Sequence, residues 1–318
     1  MRRSIVYIHL FVMACTVAYI ALREDPEPIL TSVVHIRDRS QSAQVVQETP
    51  EARILFVGDM MFDRSVRKVG EAKGYEYLFS CIEPYLSNVD GVIGNLEGPV
   101  TSYPSISIHR GVGQPGNTQF TFDATVPSVL ARYGFIAVSL ANNHIRDFGP
   151  IGIDQTRAAL DAVGLAYIGD PRDRSTDVTH LTVNDIPITL VAFNQFGGSA
   201  QDTIRALEAH QDRTTVVFAH WGDEYVPAST LQKELAKAFV GAGADLIIGA
   251  HPHVIQGHEV IDSTPVYYSL GNFIFDQYWK PEVTKGMGVV VQFTHEGLVN
   301  LEPIMFTLTP DRRTCLKI

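Results

Sequence analysis

From residue 53 onward, apolar runs of strand length alternate with amphipathic stretches. β-branched and aromatic side chains, which favour strands, are frequent in these runs. The runs are RILFV (53–57), DGVIG (90–94), FIAVSL (135–140), ITLVAF (188–193), TVVFA (215–219), DLIIG (245–249) and PVYYSL (265–270). Apolar residues recur at helical spacing in two intervening stretches, IDQTRAALDAVG (153–164) and STLQKELAKAFVGAG (229–243). Strands that alternate with helices predict an α/β domain with largely buried sheets.

The N-terminal residues show a different pattern. Met1-Arg2-Arg3 precedes an uncharged apolar segment, residues 4–22, which is about as long as the ~20 residues that cross a bilayer. We expect residues 1–22 to form an uncleaved signal anchor, with the basic end inside and the remaining chain on the extracytoplasmic side of the cell membrane. The alternatives are lipoprotein processing at Cys15 and secretion after signal cleavage. Residues 23–51 then form a polar linker, and residues 52–310 form the domain.

Composition narrows the classes of partner and of fold. The formal charge of −10 and the pI near 5.5 argue against a nucleic-acid surface, because such surfaces need clustered Lys and Arg. Three cysteines, Cys15, Cys81 and Cys315, cannot build a disulfide framework. A single bridge between Cys81 and Cys315 is the less favoured alternative to unpaired cysteines.

Polar side chains follow six of the predicted strands at the point where each strand ends. They are Asp59, Asn95, Glu97, Asn142, Asn143, His144, His220, Asp223, Glu224, His251, His253 and Asn272. In open α/β sheets, ligands bind beyond the carboxyl ends of the strands. We therefore expect these side chains to converge in one crevice.

The pair His251-Pro252-His253 is the clearest chemical signal in this set. A one-residue gap in an extended segment would point both rings the same way. Together with the Asp, Glu and Asn side chains, the two histidines offer nitrogen and oxygen ligands that suit Mn, Fe, Zn or Mg, and no cysteine belongs to the set. One or two such divalent ions can generate a nucleophile from water at neutral pH, so the pattern favours a metal-dependent hydrolase.

Six sequence blocks in order resemble the capsule-synthesis CapA family, of the poly-γ-glutamate biosynthesis type. The blocks are GDMMFDR (58–64), GNLEGPVT (94–101), SLANNHIRDFG (139–149), HWGDEY (220–225), GAHPHV (249–254) and YSLGNFIFDQ (268–277). The resemblance covers roughly residues 52–305. That family is similar in turn to calcineurin-like metallophosphoesterases, which implies a four-layer α-β-β-α sandwich with a two-metal site.

The resemblance also implies roles for individual residues. One ion would be held by Asn143, His220 and His251, the other by Asp59 and His253, with Glu97 between them. His144 would be the catalytic acid that protonates a leaving group. Supporting roles fall to Asn95, Glu224, Asn272 and Arg64, either in orienting ligands or in contacting substrate. Asp147 is expected to cap the helix that begins near Pro150 rather than to hold His144.

The sequence departs from the phosphoesterases at two positions. Met61 stands where they carry a histidine ligand, although methionine looks usual for the CapA type. Glu97 replaces the usual bridging aspartate and is one methylene longer. These departures leave open a pocket that binds without turnover. The long loop 101–122, rich in Gly, Ser and Pro, has the profile of a mobile flap. Arg110 in this loop and Arg64 are either contacts for an anionic substrate or solvent-exposed charges.

The resemblance implies a role in the synthesis, transfer or export of a surface polymer. We expect an anionic polymer or phosphoester as substrate, and the membrane and other polymer-synthesis subunits as partners. No nucleic acid is expected. The alternative is a non-catalytic component of a polymer-synthesis complex that binds metal or polyanion.

Overall fold

The computed structural model describes residues 50–111 and 114–317. The predicted anchor and residues 23–49 of the predicted linker lie outside this part of the chain. Among the described residues, no helix has both the length and the apolar character needed to cross a membrane.

The described residues form fourteen strands, six α-helices and four short 3-10 helices. The strands are β1 (Ala52–Met60), β2 (Gly91–Leu96), β3 (Phe135–Ser139), β4 (Ala166–Ile168), β5 (Val178–Val183), β6 (Ile186–Asn194), β7 (Thr214–His220), β8 (Leu246–Ala250), β9 (His258–Ile261), β10 (Thr264–Tyr267), β11 (Asn272–Ile274), β12 (Lys285–Thr294), β13 (Gly297–Leu308) and β14 (Thr314–Leu316). The α-helices are α1 (Arg64–Lys73), α2 (Glu83–Leu86), α3 (Val126–Arg132), α4 (Gly149–Asp161), α5 (Ala200–Glu208) and α6 (Thr230–Gly241). The 3-10 helices are Tyr75–Phe79, Ser107–His109, Arg174–Asp177 and Pro281–Thr284.

The strands build two sheets. The first is eight-stranded, in the order β14-β13-β12-β1-β2-β3-β4, and β11 also pairs with β1. In it, β1 to β4 run parallel, whereas β12, β13 and β14 add antiparallel strands at one side. The second sheet is six-stranded, in the order β5-β6-β7-β8-β10-β9. Its four central strands are parallel and both edge strands are antiparallel.

The two sheets enclose one apolar core between them. Alternate residues of β1, Ile54 and Phe56, belong to the same buried cluster as Val216 and Phe218 of β7. Successive side chains of a strand point to opposite faces, so each sheet has a second face to cover. This explains why the predicted strands are continuous apolar runs.

Helices cover the outer faces of the sheets. Leu55 and Val57, which alternate with the inner residues of β1, share a core with apolar residues of α1, α3 and α4. Val217 of β7 shares another core with residues of α5 and α6. The prediction of an α/β domain with buried sheets is therefore confirmed, and the layers run helix, sheet, sheet, helix.

The structure corrects the expectation that the cysteines are unpaired. Cys81 and Cys315 form a disulfide with a Cα–Cα distance of 4.9 Å, across a sequence separation of 234 residues. The bridge connects the segment after the first 3-10 helix to β14. Pairing of β14 with β13 brings Cys315 to this place, and β14 lies beyond the predicted domain end at residue 310.

Candidate metal centre

The polar strand-end residues meet at the carboxyl ends of the parallel strands. Asp59 lies at the end of β1, Glu97 and Asn143 follow β2 and β3, His220 ends β7, and His251 follows β8. The backbone N–H of His251 donates to the Asp59 carboxylate at 3.1 and 3.3 Å from its two oxygens. This contact joins the end of one sheet to the end of the other, and the site lies at that junction.

Gly58 allows β1 to deliver Asp59 to this place. A Cβ at position 58 would lie 1.9 Å from the carbonyl oxygen of Gly271. The N–H of Asp59 donates to that same oxygen at 3.0 Å. A larger residue than glycine would therefore push β1 away from the segment that precedes β11.

The fully buried carboxylate of Asp59 is held by polar neighbours. Asn95 Nδ2 donates to Asp59 Oδ1 at 2.8 Å, and His253 Nδ1 lies 3.3 Å from Asp59 Oδ2. Burial alone would raise the pKa of Asp59, but the hydrogen bond and charge of His253, with help from Asn95, outweigh burial and lower it. Asp59 is thus maintained as an anion in the interior.

Glu97 is also fully buried, and its surroundings act in the opposite direction. Burial raises the pKa of Glu97 well above its ordinary value, and the negative charge of Asp59 adds to this rise. Glu97 Oε1 and His251 Nδ1 lack a hydrogen-bond partner among the described residues. Buried polar atoms are rarely left without a partner. Two candidate ligand atoms without a partner, beside the anionic carboxylate of Asp59, fit a divalent cation.

Three groups of side chains in the described part of the chain bring their ligand atoms within 4.8 Å of one another. The groups are Glu97, His220 and His251; Asp59, Glu97 and His253; and Glu224, His251 and His253. Glu97 is common to the first two. Asn143 Oδ1 lies 2.9 Å from His220 Nε2, which adds an oxygen beside the first group. The structure therefore brings together all six side chains that the resemblance implies as ligands.

Burial keeps two of the histidines neutral. It lowers the pKa of His220 well below its ordinary value, and the neighbouring His251 and His253 contribute. Burial, followed by the charge of His253, also lowers the pKa of His251 to about 4. A metal ligand must be an unprotonated imidazole, so this environment suits metal binding.

The sequence suggested an extended backbone at His251 and His253, but the structure does not have one there. His251 has φ 97° and His253 has φ 57°, both in the left-handed region that residues other than glycine seldom adopt. Nevertheless, both rings face the site, with centroids 5.9 Å apart. Two such residues one position apart represent local strain of the kind that clusters at functional sites.

The side chain of Met61 packs among apolar residues. Its side chain is fully buried in the apolar core beneath α1, and its sulfur accepts the backbone N–H of Asp63 at 3.0 Å. The thioether therefore packs in the core and accepts a hydrogen bond within the turn that follows β1.

His144 lies at the open side of the site and is held by Asp147. His144 Nδ1 is 3.0 Å from Asp147 Oδ2, which also accepts the backbone N–H of Phe120 at 2.7 Å. The expectation that Asp147 caps helix α4 is wrong, because Phe148 is the N-cap residue and makes no side-chain cap bond. Asp147 instead orients His144, and the Phe120 ring packs 4.4 Å from the imidazole, centroid to centroid.

The predicted supporting residues surround this cluster. Asn272 Oδ1 lies 3.1 Å from His253 Nδ1, and Asn272 Nδ2 donates to the Val283 carbonyl at 3.0 Å. Arg64 forms an ion pair with Asp276. Its guanidinium also lies 5.0 Å from the centre of the Phe120 ring. Arg64 and His253 line the same cleft.

Comparison with known proteins identifies the family. The family described as "Bacterial capsule synthesis protein PGA_cap" matches residues 53–277. The chain belongs to this family. The match ends where the last of the six sequence blocks ends, so the family predicted from the motifs is confirmed.

Two curated relatives agree with this assignment. The chain is 34% identical over 248 residues to "PGA biosynthesis protein CapA" of Bacillus subtilis (strain 168), covering 70% of this chain and 63% of that protein. It is 31% identical over 257 residues to "Capsule biosynthesis protein CapA" of Bacillus anthracis, covering 73% and 62%. The chain thus spans less than two thirds of the length of these relatives.

Among solved structures, a 5'-nucleotidase precursor from Thermus thermophilus is similar at a TM-score of 0.47 and 11% identity. The similarity covers 84% of this chain and 54% of that one. A likeness of this degree supports no conclusion about function.

Sequence reasoning did not assign a role to several residues of this PGA_cap site. Asn142 donates to Asn95 Oδ1 at 3.1 Å and accepts the backbone N–H of His144 at 3.1 Å, so it connects the two strand ends. The double asparagine before His144 was the available signal. Phe196 packs against His251 with centroids 4.4 Å apart. No local pattern marks that contact, because it depends on how the strand ends converge.

The loop 101–122 of the PGA_cap domain borders the site, and contacts to the domain hold both of its ends. Asp63 accepts the Ser105 hydroxyl with one carboxylate oxygen and the backbone N–H of Thr121, at 2.8 Å, with the other. The bond from Phe120 to Asp147 adds a third anchor. Whether the middle of the loop moves as a flap stays a prediction.

The lowered pKa of His251 predicts a specific acid sensitivity of the metal-free PGA_cap domain. Below pH about 6.5 the unfolded chain gains a proton on this histidine, whereas the folded chain resists protonation until about pH 4. Stability is therefore lost as the pH falls. We expect the free energy of unfolding to drop between pH 6.5 and 5 by about 1.5 kcal/mol more in the parent than in His251→Gln.

Urea unfolding of both proteins in the presence of a chelator, at each pH, measures this difference. The comparison with the variant is needed because the raised pKa of Glu97 makes stability fall with rising pH, the opposite direction. Identical pH dependences for parent and variant would contradict the prediction.

Proposed function

We propose that this protein is a membrane-anchored extracytoplasmic hydrolase that uses divalent metal to cleave a phosphoester during synthesis, transfer or export of a surface polymer. The observation that carries the proposal is the pair of ligand groups sharing Glu97, with orphaned atoms on Glu97 and His251. His144 lies in the same cleft as His253, which puts a proton donor next to the ligands.

Hydrolysis of a phosphoester adds water across a phosphorus–oxygen bond, and the departing oxygen takes up a proton. Divalent ions held by these residues would polarise a phosphoryl oxygen and lower the pKa of water. His144 is placed to give a proton to the departing oxygen from Nε2. Asp147 accepts from Nδ1 and so keeps the ring oriented. The aromatic ring of Phe120 shields one face of the imidazole from water.

A second cleft favours an anionic substrate. The cleft at the ligands has a volume of about 170 Å³, and an adjoining one has about 220 Å³; they share Arg64, Asn117 and Trp279. Lys68 and Arg110 line the second cleft, and neither forms an ion pair within the part of the chain that the structure describes. Unpaired cations beside the site would attract phosphate or carboxylate groups of a polymer.

The disulfide supports an extracytoplasmic location. Disulfides persist in oxidising compartments and are rare in the cytosol. The Cys81–Cys315 bridge therefore agrees with an apolar N-terminal segment that anchors the domain outside the cell membrane. The curated relatives are named for capsule and PGA biosynthesis, which favours a capsule-like polymer and other polymer-synthesis subunits as partners.

The competing function is a non-catalytic component of a polymer-synthesis complex that binds metal or polyanion. Its support is Met61, which packs in the core and leaves the ion near Asp59 and His253 with fewer ligands from the chain. Hydrolysis is favoured because His144 is both oriented by Asp147 and exposed to the cleft.

The experiment that tests the proposal pairs metal analysis with turnover. The purified full chain is loaded with Mn²⁺ or Zn²⁺, its metal content is measured by elemental analysis, and hydrolysis of a generic phosphodiester is followed with and without a chelator. We expect bound metal and turnover that the chelator removes. Bound metal without turnover on a broad phosphoester panel would favour the non-catalytic function, and absence of metal binding would overturn the metal centre.

A further inference from the structure

Glu224 approaches the metal centre from the solvent side. It follows β7, four residues after His220, and its side chain is exposed. A carboxylate oxygen of Glu224 nevertheless lies within 4.8 Å of ring nitrogens of both His251 and His253. Glu97, which is fully buried, is grouped with each of the same histidines, so His251 and His253 have carboxylates on both their buried and their exposed side.

The two histidines near Glu224 come from different ligand groups. His251 belongs to the group with His220, and His253 to the group with Asp59. A carboxylate beside both can contribute to either ion. Its position on the exposed side is the one that the buried ligands leave uncovered.

One of the two ligand groups has few ligand side chains, and Glu224 could add one. The group of Asp59, Glu97 and His253 provides three ligand side chains, and Met61, which directly follows β1, is packed in the apolar core. Catalytic metal sites commonly have three or more protein ligands and an open position. Because Glu97 is shared between the two groups, an ion beside Asp59 would have only two ligand side chains of its own.

Contacts of the neighbouring Tyr225 hold the turn that carries Glu224. The Tyr225 hydroxyl accepts from Gln277 Nε2 at 2.8 Å, and the Tyr225 ring lies 5.9 Å from the His253 ring, centroid to centroid. Tyr225 adopts φ 65° and its backbone N–H donates to the Pro252 carbonyl at 2.9 Å, between the two histidines. This strained turn fixes Glu224 against the loop that carries His251 and His253.

We propose that Glu224 is a further ligand of the metal centre, which closes its exposed side and replaces the ligand that Met61 does not provide. The proposal rests on the metal centre of the proposed function. An exposed carboxylate can also leave the ion when a phosphoryl oxygen arrives, so Glu224 would be the displaceable member of the ligand set.

Asp223 provides the matched control. It neighbours Glu224, is likewise exposed, and belongs to none of the ligand groups among the described residues. Glu224→Gln and Asp223→Asn each remove one negative charge beside the site. A difference between them separates ligation from general electrostatic attraction.

The test measures Zn²⁺ binding to the full chain by calorimetry, at about 0.05 M and about 0.5 M salt, because salt screens charge at a distance but not a ligand bond. We expect Glu224→Gln to weaken the affinity for one Zn²⁺ ion at least about tenfold at both salt concentrations. Asp223→Asn should change that affinity less than about twofold. In the Co²⁺-loaded protein, the visible spectrum should change in Glu224→Ala and not in Asp223→Ala.

The outcomes separate this inference from the function on which it rests. Equal affinities for Glu224→Gln and Asp223→Asn, or a loss that disappears at high salt, would overturn Glu224 as a ligand and leave the metal centre intact. A parent protein that binds no Zn²⁺ would overturn both. Melting temperatures of all variants close to that of the parent confirm that they fold.

Discussion

Replacing His144 by alanine is expected to lower the rate of phosphodiester hydrolysis by about 10²- to 10⁴-fold, the usual contribution of a positioned general acid. The metal content should stay the same, because His144 belongs to none of the ligand groups in the described part of the chain. Its ring lines the cleft beside His253, and its Nδ1 is held by Asp147. Steady-state kinetics together with elemental analysis of the purified variant measure both quantities.

Two further variants sharpen this experiment. Asp147→Asn keeps the shape of the side chain but removes the charge that holds Nδ1 of His144, so a smaller loss of turnover and a changed pH–rate profile are expected. His258→Ala removes an exposed histidine from β9 and should leave turnover unchanged. If His144→Ala loses its metal as well, the residue is structural. If its turnover is intact, the chemistry does not depend on His144.

The sequence was most informative where a strand is buried on both faces. Each of the seven predicted runs overlaps a strand of the structure, because such strands must be continuously apolar, although the run 265–270 leaves its strand after Tyr267. The other seven strands of the described residues were not predicted, and the longest of them are β12 and β13. β13 is mostly half-buried or exposed and lacks an apolar run, while glycines interrupt β12. Antiparallel pairing, of β12 with β1 and of β13 with β12, rather than local sequence, stabilises these strands.

The candidate site could be anticipated for the same reason. Parallel strands end at one edge, so polar residues at their ends must converge, and the six implied ligands do so. The conformation of each ligand could not be anticipated. His251 and His253 adopt positive φ in a bend between β8 and β9. Such a strained backbone persists only where tertiary contacts hold it in place.

The role of Asp147 shows a second limit of prediction from the sequence. An aspartate just before a helix is a common cap, and the sequence favoured that role. In the structure, the Asp147 carboxylate contacts the His144 ring and the backbone N–H of Phe120, which is 27 residues earlier in the chain. The contact with Phe120 leaves no local signal, and of the two local roles open to Asp147 the helix cap was the wrong choice.

Removing the Cys81–Cys315 bridge is expected to lower the free energy of unfolding by about 4 kcal/mol. The bridge spans 234 residues, so it restricts the unfolded chain strongly; a loop of that length lies at the upper end of the range for disulfides. The double variant Cys81→Ala/Cys315→Ala avoids a leftover thiol. Urea unfolding of the full chain, with and without reductant, measures the loss.

The reductant provides the internal control. Reduction should lower the free energy of unfolding of the parent by about 4 kcal/mol. It should leave that of the double variant unchanged. Cys15→Ser should behave like the parent, because its Cys81–Cys315 bridge is intact. The folded state should survive in every case, since Tyr77 still donates to Asp311 at 2.8 Å across the same junction. A parent that is equally stable with and without reductant would contradict the prediction. In cells, a domain held in the cytoplasm would contain the reduced pair, so trapping free thiols before lysis also tests the extracytoplasmic location.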